Sequence, residues 1–147
     1  YNFRISDINC SLGIGQINNI KNKISHRRKI ALFYDDYFKD NEFVDTLIID
    51  KHIKSAYHLY PIFIKSLNKI NKIELMKKLK EKKIFTQIHY LPLNRQPLLK
   101  KTNKLFLGSK IYFEKSLSIP MHEDINISDA KYISKTIINE IKKIKKN

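Results

Sequence analysis

The chain has 147 residues, of which 42% are hydrophobic, with only three Gly and four Pro, so it fits one globular domain with a core and excludes a low-complexity segment. No apolar run approaches the roughly 20 residues of a membrane-spanning helix, so we expect no membrane partner. The lone Cys10 excludes an internal disulfide and favours a reducing cytoplasm as the compartment.

The formal net charge of +15 at first suggests a nucleic-acid partner. The 29 basic residues, however, are 25 Lys and only 4 Arg, and Arg is the residue best suited to bidentate recognition of bases and phosphates. The lysines are also spread over several segments, apart from the C-terminal "KKIKK". We therefore interpret the charge as a solvated surface and expect no nucleic-acid partner, with a basic nucleic-acid-binding module as the alternative.

The first predicted element is a helix over residues 7–38. Ser6 has the position of its N-cap, with Asn9 three residues later. We expect a break near Gly13 and Gly15 or around Asn18–Asn19. The second half has inward residues at helical spacing, namely Ile24, Ala31, Tyr34 and Phe38. Its solvated side is expected to hold Arg27, Arg28 and Lys29.

Asn2 and Arg4 precede this helix, and a helix N-terminus with such donors beside it is suited to hold an anion. From the local sequence alone, the favoured interpretation is that the two residues merely cap the helix and contact solvent.

The middle of the chain predicts strands at 46–50 and 56–64, the second with Pro61, which indicates an edge strand or a bulge. An amphipathic helix over 72–84 follows, with an inward stripe of Ile73, Met76, Leu79 and Lys80. "FTQIHY" (85–90) predicts a short strand that leads into a loop bounded by prolines.

The last part predicts a mixed helical stretch at 98–116, a short strand at 117–120 and a helix capped by Asn126, with Asp129 at its third position. That helix has an apolar face of Ile133, Ile137, Ile141 and Ile144. The expected architecture is a helical arm (1–40) followed by a small α/β, or α+β, domain (41–147) with a few strands and helices on one face.

Candidate chemistry is sparse. The five histidines form no metal-ligand motif, and no glycine-rich phosphate loop joins a strand to a helix. We expect His26 and His52 to be exposed, and His58 and His122 to be satisfied structural residues. Gln87 and His89 alternate onto one face of the predicted strand and Tyr90 begins the loop, so "QIHYLPL" is the preferred ligand-binding segment.

Five ordered motifs carry a resemblance that covers nearly the whole chain. They are "YNFRISDINCSLGIGQINNI", "HRRKIALFYDDYF", "SAYHLYPI", "FTQIHYLPLNRQP" and "SLSIPMHEDINISDAKYI". Together they resemble the C-terminal third of the DegT/DnrJ/StrS family of sugar aminotransferases. "YNFR", "HLYPI" and the Gln of "QIHY" favour the branch that makes pseudaminic acid, whereas "NRQPLL" departs from it and leaves other 4-amino-sugar transaminases open.

The resemblance implies the C-terminal domain of a fold-type I enzyme that depends on pyridoxal 5'-phosphate. It implies transfer of an amino group, from glutamate as donor, to the C4 keto group of a UDP-linked 4-keto-6-deoxy sugar. No lysine here matches the family's Schiff-base residue, so we expect a fragment with no catalytic residue of its own, inactive alone.

The same resemblance implies a homodimer with shared active sites. Asn2 would reach the partner subunit's cofactor phosphate and substrate, and Arg4 would support the sugar-nucleotide diphosphate. Further substrate contacts are implied for Gln87, Ile88, His89 and Tyr90. No metal is implied. A catalytically dead remnant is the other alternative.

Overall fold

The computed structural model describes residues 4–65, 72–99 and 106–146. In chain order the elements are α1 (Asp7–Phe38), β1 (Val44–Thr46), β2 (Tyr60–Ile64), α2 (Lys72–Glu81), two 3₁₀ turns (Leu93–Arg95 and Pro97–Leu99), α3 (Leu107–Lys115), β3 (Ser116–Ile119) and α4 (Ile127–Lys146). They form a small α+β domain with a long first helix, which confirms the predicted fold class. None of the helices in these ranges is long and apolar enough to cross a bilayer.

β2 is the central strand of a three-stranded antiparallel sheet in the order β1-β2-β3. Val44 is paired with Ile64, and Tyr60 with Ile119. Every second residue of β2 is buried, as expected for an antiparallel sheet with one face on the core. That face meets α1, α2 and α4 in one hydrophobic cluster.

The opposite face of the sheet carries α3. The rings of Phe63 on β2 and Tyr112 on α3 lie edge to face with centroids 5.5 Å apart. Because neighbouring residues of a strand point to opposite faces, Phe63 cannot share the core with Ile62 and Ile64. The prediction of helices on one face only is therefore wrong.

The two predicted N-caps are confirmed. The amide of Asn9 donates to Ser6 Oγ at 3.4 Å. At α4, Asp129 N donates to Asn126 Oδ1 at 2.9 Å, and Asn126 N donates to Asp129 Oδ2 at 3.1 Å, a reciprocal capping box. The predicted apolar face of α4 is also confirmed, since its four isoleucines are all buried.

α1 is continuous, so the predicted break near Gly13, Gly15 or Asn18–Asn19 is wrong. A glycine in a helix interior costs only about 1 kcal/mol relative to alanine, and neither of these glycines has a positive φ. The second half of α1 enters the core through Ile30, Ala31, Tyr34 and Phe38. The first half leaves its large apolar side chains exposed, namely Ile8, Leu12, Ile14, Ile17 and Ile20.

Pro61 lies in the central strand and not at an edge, which corrects the prediction. Ser118, which lies opposite Pro61 on β3, forms its backbone N–H and C=O hydrogen bonds with Gln87. Pairing with β3 therefore does not require an N–H from Pro61. On the other side, β1 ends at Thr46, opposite Ile62. The missing N–H of Pro61 explains why residues 47–50 do not continue the predicted strand.

Two further predictions were wrong, one about the length of a strand and one about the buried face of a helix. Of the predicted strand at 85–90, only Gln87 pairs, with Ser118. Phe85 does not extend the ladder because Pro120, opposite it in this register, has no N–H. The inward side of α2 is Leu75 and Leu79, with Ile73 61% exposed, since packing against α4 sets the rotation of this short helix. In the 98–116 stretch α3 is helical, and residues 100–105 lie outside the described ranges.

Candidate functional site

A cavity of about 610 Å³ opens beside β3, between the segment at 84–89, the loop at 120–125 and the start of α4. Its polar lining includes Gln87, His89 and Ser118 on one side. The opposite side is formed by the loop that follows Pro120. Ile84, Ile119, Met121 and Ile125 supply apolar surface, so the cavity combines an apolar floor with a few hydrogen-bonding groups, as small-molecule sites do.

Backbone pairing sets the direction of the Gln87 and His89 side chains. Gln87 N donates to Ser118 O at 3.0 Å, and Ser118 N donates to Gln87 O at 2.9 Å. In extended backbone, alternate residues share one side, so residues 87 and 89 both line the cavity. Nδ1 of His89 lies 2.9 Å from Ser118 Oγ. The predicted common face of Gln87 and His89 is confirmed.

Ile88 and Tyr90 do not line this cavity. Ile88 is half-buried, and Tyr90 is 71% exposed. Tyr90 instead lines a second depression, of about 470 Å³, together with the Leu91–Leu93 loop and the α3 residues Gly108, Ser109 and Tyr112. The structure therefore distributes the four predicted residues of "QIHY" over two sides of one segment.

The far wall of the cavity, the loop after β3, is fastened to α1. Lys23 Nζ lies 3.0 Å from Glu123 Oε1, and Arg27 Nη2 lies 3.5 Å from Glu123 Oε2. His26 Nε2 lies 2.7 Å from the carbonyl oxygen of Ile125. The hydrogen bond from Lys23, with the charges of Lys23 and Arg27, lowers the pKa of the Glu123 carboxyl.

These three α1 residues were missed by the sequence reasoning, which expected His26 to be exposed and Arg27 to be on the solvated side. Both are half-buried. Lys23, His26 and Arg27 are spaced three and four residues apart and so share one helix face. That spacing was the available signal, but the loop that they contact is about 100 residues away along the chain.

Tyr34 supports the same loop from below. Its hydroxyl donates to the carbonyl oxygen of Pro120 at 3.0 Å, and burial raises the pKa of the phenol. Tyr60, whose hydroxyl donates to Asp35, likewise has a raised pKa, chiefly because of burial. Both phenols stay neutral hydrogen-bond donors, so they are structural supports and not acid–base groups.

The other positions singled out in the sequence agree with the predictions in some cases and differ in others. His52 is exposed as predicted, but His58 and His122 are also exposed, so their predicted structural role is wrong. Both line the cavity rim, and His122 Nδ1 lies 3.7 Å from Asp124 Oδ2. Arg4 is exposed just before α1 and does not line the cavity. Asn2 lies outside the described residues.

Lys72, the described lysine whose pKa is lowered, is not placed to bond covalently to pyridoxal phosphate. Burial lowers the pKa of Lys72, but its ammonium donates to the carbonyl oxygens of Phe113 and of Ser116, the latter at 3.3 Å. Lys72 also lines neither of the two depressions described above. Within those ranges no group of three His, Cys, Asp or Glu residues is placed to hold a metal. The cavity itself combines hydrogen-bonding groups with charged side chains, among them Lys82, Lys83 and Asp129.

Comparison with known proteins gives a consistent result. The sequence pattern of the DegT/DnrJ/EryC1/StrS aminotransferase family matches residues 1–138. The UDP-4-amino-4,6-dideoxy-N-acetyl-beta-L-altrosamine transaminase of Campylobacter jejuni is 36% identical over 99% of the chain and 39% of its own length. The dTDP-4-amino-4,6-dideoxy-D-glucose transaminase of Shigella dysenteriae is 26% identical over 96% and 39%.

Solved structures agree in fold. Helicobacter pylori PseC, an aminotransferase involved in the biosynthesis of pseudoaminic acid, superimposes with a TM-score of 0.87 at 26% identity, over 97% of this chain and 39% of its own. A putative sugar aminotransferase of Streptococcus pneumoniae, at 22% identity, has the same TM-score and shows the fold alone. The chain thus spans about two-fifths of the length of the relatives it matches, and corresponds to their C-terminal part.

Proposed function

Because the chain belongs to the DegT/DnrJ/EryC1/StrS aminotransferase family, we propose that it is the C-terminal part of a sugar-nucleotide aminotransferase. The family depends on pyridoxal phosphate. The proposed reaction moves an amino group, with glutamate as donor, to the C4 keto group of a UDP-linked 4-keto-6-deoxy sugar, for pseudaminic acid or a related surface glycan. The names of the Campylobacter and Helicobacter relatives support this substrate class.

The observation that carries the proposal is the cavity beside β3, into which Gln87 and His89 project from a segment fixed by backbone hydrogen bonds. When bound, the cofactor supplies the electron-sink chemistry of the reaction. In the proposed arrangement, Gln87 and His89 form hydrogen bonds to the sugar, and the apolar floor limits the access of water. A rigid strand edge is suited to this task because it holds both groups at fixed positions.

Asn2 and Arg4 extend the proposal to a homodimer. Asn2 would donate to the cofactor phosphate and the substrate of the partner subunit, and Arg4 would support the diphosphate of the nucleotide. The exposed position of Arg4 beside the N-terminus of α1 is compatible with an anion-binding role. The lysine that bonds to the cofactor would lie outside this chain, which is therefore expected to be inactive alone.

The proposal is tested with His89→Ala in the complete protein. Loss of one hydrogen bond to a charged or polar substrate is worth about 0.5–3 kcal/mol, so KM for the sugar nucleotide is expected to rise roughly 2- to 150-fold. The visible absorption band of the bound cofactor should remain. His52→Ala, at an exposed histidine outside the cavity, is the matched control. An unchanged KM together with loss of the cofactor band contradicts the role assigned to His89.

The cross-subunit role of Asn2 is tested with a mixed dimer of complete chains. One chain lacks the cofactor-bonding lysine and the other carries Asn2→Ala. If Asn2 acts across the interface, one of the two sites receives both lesions and the other receives neither, so close to half of the wild-type activity is expected. If activity stays at the level of the parents after verified subunit exchange, Asn2 serves its own subunit and the proposed role is wrong.

A further inference from the structure

His89 is oriented by a side chain that no sequence motif indicated. Ser118 on β3 is only 7% exposed, and its Oγ lies 2.9 Å from Nδ1 of His89. The main chain of Ser118 is bonded in both directions to Gln87, two residues before His89. Side chain and backbone of one strand residue therefore fix both the position of the histidine and the rotation of its ring.

A second contact restricts the ring plane. The rings of His89 and Tyr90 meet edge to face, with centroids 4.7 Å apart and an interplanar angle of 88°. With Nδ1 directed at Ser118 and one side of the ring against Tyr90, the other ring nitrogen, Nε2, is the polar atom of His89 that is left for the cavity.

The direction of the hydrogen bond follows from the chemistry of the two groups. A buried hydroxyl has one proton that must find an acceptor. Among the described residues, His89 is the side-chain partner that the structure gives to Ser118 Oγ. If Nδ1 carried the ring proton and donated, the hydroxyl proton of Ser118 would have no acceptor among its described contacts and would depend on a molecule in the cavity that Ser118 lines. The satisfied arrangement has the hydroxyl donating to Nδ1, which leaves the proton of the neutral ring on Nε2.

We infer that Ser118 is a positioning residue that holds neutral His89 in its Nε2-protonated form and directs this N–H into the cavity as a hydrogen-bond donor. The group it would bind is an acceptor oxygen, and on the proposed function this is an oxygen of the sugar nucleotide. The inference concerns the tautomer and orientation of His89, and it rests on the proposed function only for the identity of the ligand.

The first test is spectroscopic and uses the complete protein labelled with [15N]histidine. The expected result for His89 is a protonated Nε2 and an unprotonated Nδ1 whose resonance is shifted by an accepted hydrogen bond. Ser118→Ala should move the Nδ1 resonance to that of a free acceptor nitrogen, and Ser118→Thr, which keeps a hydroxyl, should restore it. Ser134→Ala removes a buried hydroxyl that donates to Ala130 O on α4, so it is the matched control for packing.

The second test is kinetic. Ser118→Ala is expected to raise KM for the sugar nucleotide by roughly 2- to 12-fold, the range for one neutral hydrogen bond, with Ser118→Thr close to wild type. In a His89→Ala background, Ser118→Ala should add no further change, because a positioning residue acts only through the residue that it positions.

Each outcome separates the two claims. A proton on Nδ1, an Nδ1 resonance that Ser118→Ala leaves unchanged, or an equal KM effect of Ser118→Ala with and without His89 overturns the inference. If the spectroscopic result is as expected but neither His89→Ala nor Ser118→Ala changes KM, the positioning role of Ser118 stands and the assignment of His89 to the substrate fails.

Discussion

The two halves of α1 are similar in sequence character and opposite in environment. Ile17 in the first half is 66% exposed, whereas Ile30 in the second is 1% exposed. In the second half the apolar residues follow one stripe that meets the sheet and α4. In the first half they point in several directions, since Leu12 and Ile14 lie about 200° apart around the helix axis. One regular helix therefore carries two kinds of surface.

The difference shows that apolar composition predicts a helix without predicting what covers it. A helix that is apolar on all sides is typical of a buried position, and large exposed apolar patches mark interaction sites. On the proposed function, the first half of α1 is the part that the remainder of the protein would cover. The predicted boundary between arm and domain at residue 40 stays a prediction, although the core already includes α1 from Ile30 onward.

The largest expected contrast between the halves is in amide hydrogen exchange of the 147-residue chain. Opening free energies range from near zero at weakly packed ends to the global stability, about 5–15 kcal/mol, in core elements. Residues 7–20 are expected near the lower limit and residues 28–38 near the upper one. Uniformly high protection across α1 would show that the first half is stable without a covering partner.

A matched pair of truncations is the next largest test. Ile30→Ala removes a buried side chain and is expected to lower the free energy of unfolding by about 2–5 kcal/mol. Ile17→Ala, the same change on the same helix, is expected to stay within about 0.5 kcal/mol of wild type. Denaturant unfolding measures both. Equal losses for the two variants would mean that the first half packs against the domain.

Tyr34, in the second half of α1, makes the stability of the fold depend on pH in the alkaline range. The first half of α1 has no tyrosine and makes no such contribution. Burial raises the pKa of the phenol above the ordinary 10.0, so the folded state holds a proton that the unfolded state releases. Its contribution to stability is complete below pH 10 and is lost as the pH rises above that value.

Tyr34→Phe removes the hydrogen bond to Pro120 O, and we expect a loss of about 1–2 kcal/mol at neutral pH, with a flatter decline of stability above pH 10. Because the pKa of Tyr60 is also raised, the variant keeps part of the dependence. Melting temperatures measured from pH 7 to 11 provide the test, and a decline as steep as that of wild type would contradict it.

The smallest expected effect is at the junction of the halves, where Lys23 and Arg27 bind Glu123. Glu123→Gln should destabilise the chain less than Tyr34→Phe does, and the effect should disappear at high salt because the Glu123 carboxylate is exposed to solvent. Since the pKa of Glu123 is lowered, its contribution is present above the ordinary 4.5 and lost as the pH falls below it. A loss that persists in high salt would point to packing instead.

The sequence by itself determined the local features of this protein. Two helix starts could be predicted from Ser6 and from the Asn126–Asp129 pair, because capping depends on groups three residues apart. The buried face of α4 could be predicted because its isoleucines repeat at the helical period. The alternation of Gln87 and His89 is equally local. The ordered motifs identified the family because their types and spacings are read directly from the chain.

The tertiary structure alone decided what depends on distant partners. The end of β1 at Thr46 and the unpaired position of Phe85 follow from Pro61 and Pro120 in the opposing positions of the sheet. The roles of Lys23, His26 and Arg27 follow from a loop about 100 residues away, and the contact of Ser118 with His89 joins residues 29 apart. No local pattern encodes such pairings, because they exist only once the sheet and α1 have fixed which segments are neighbours.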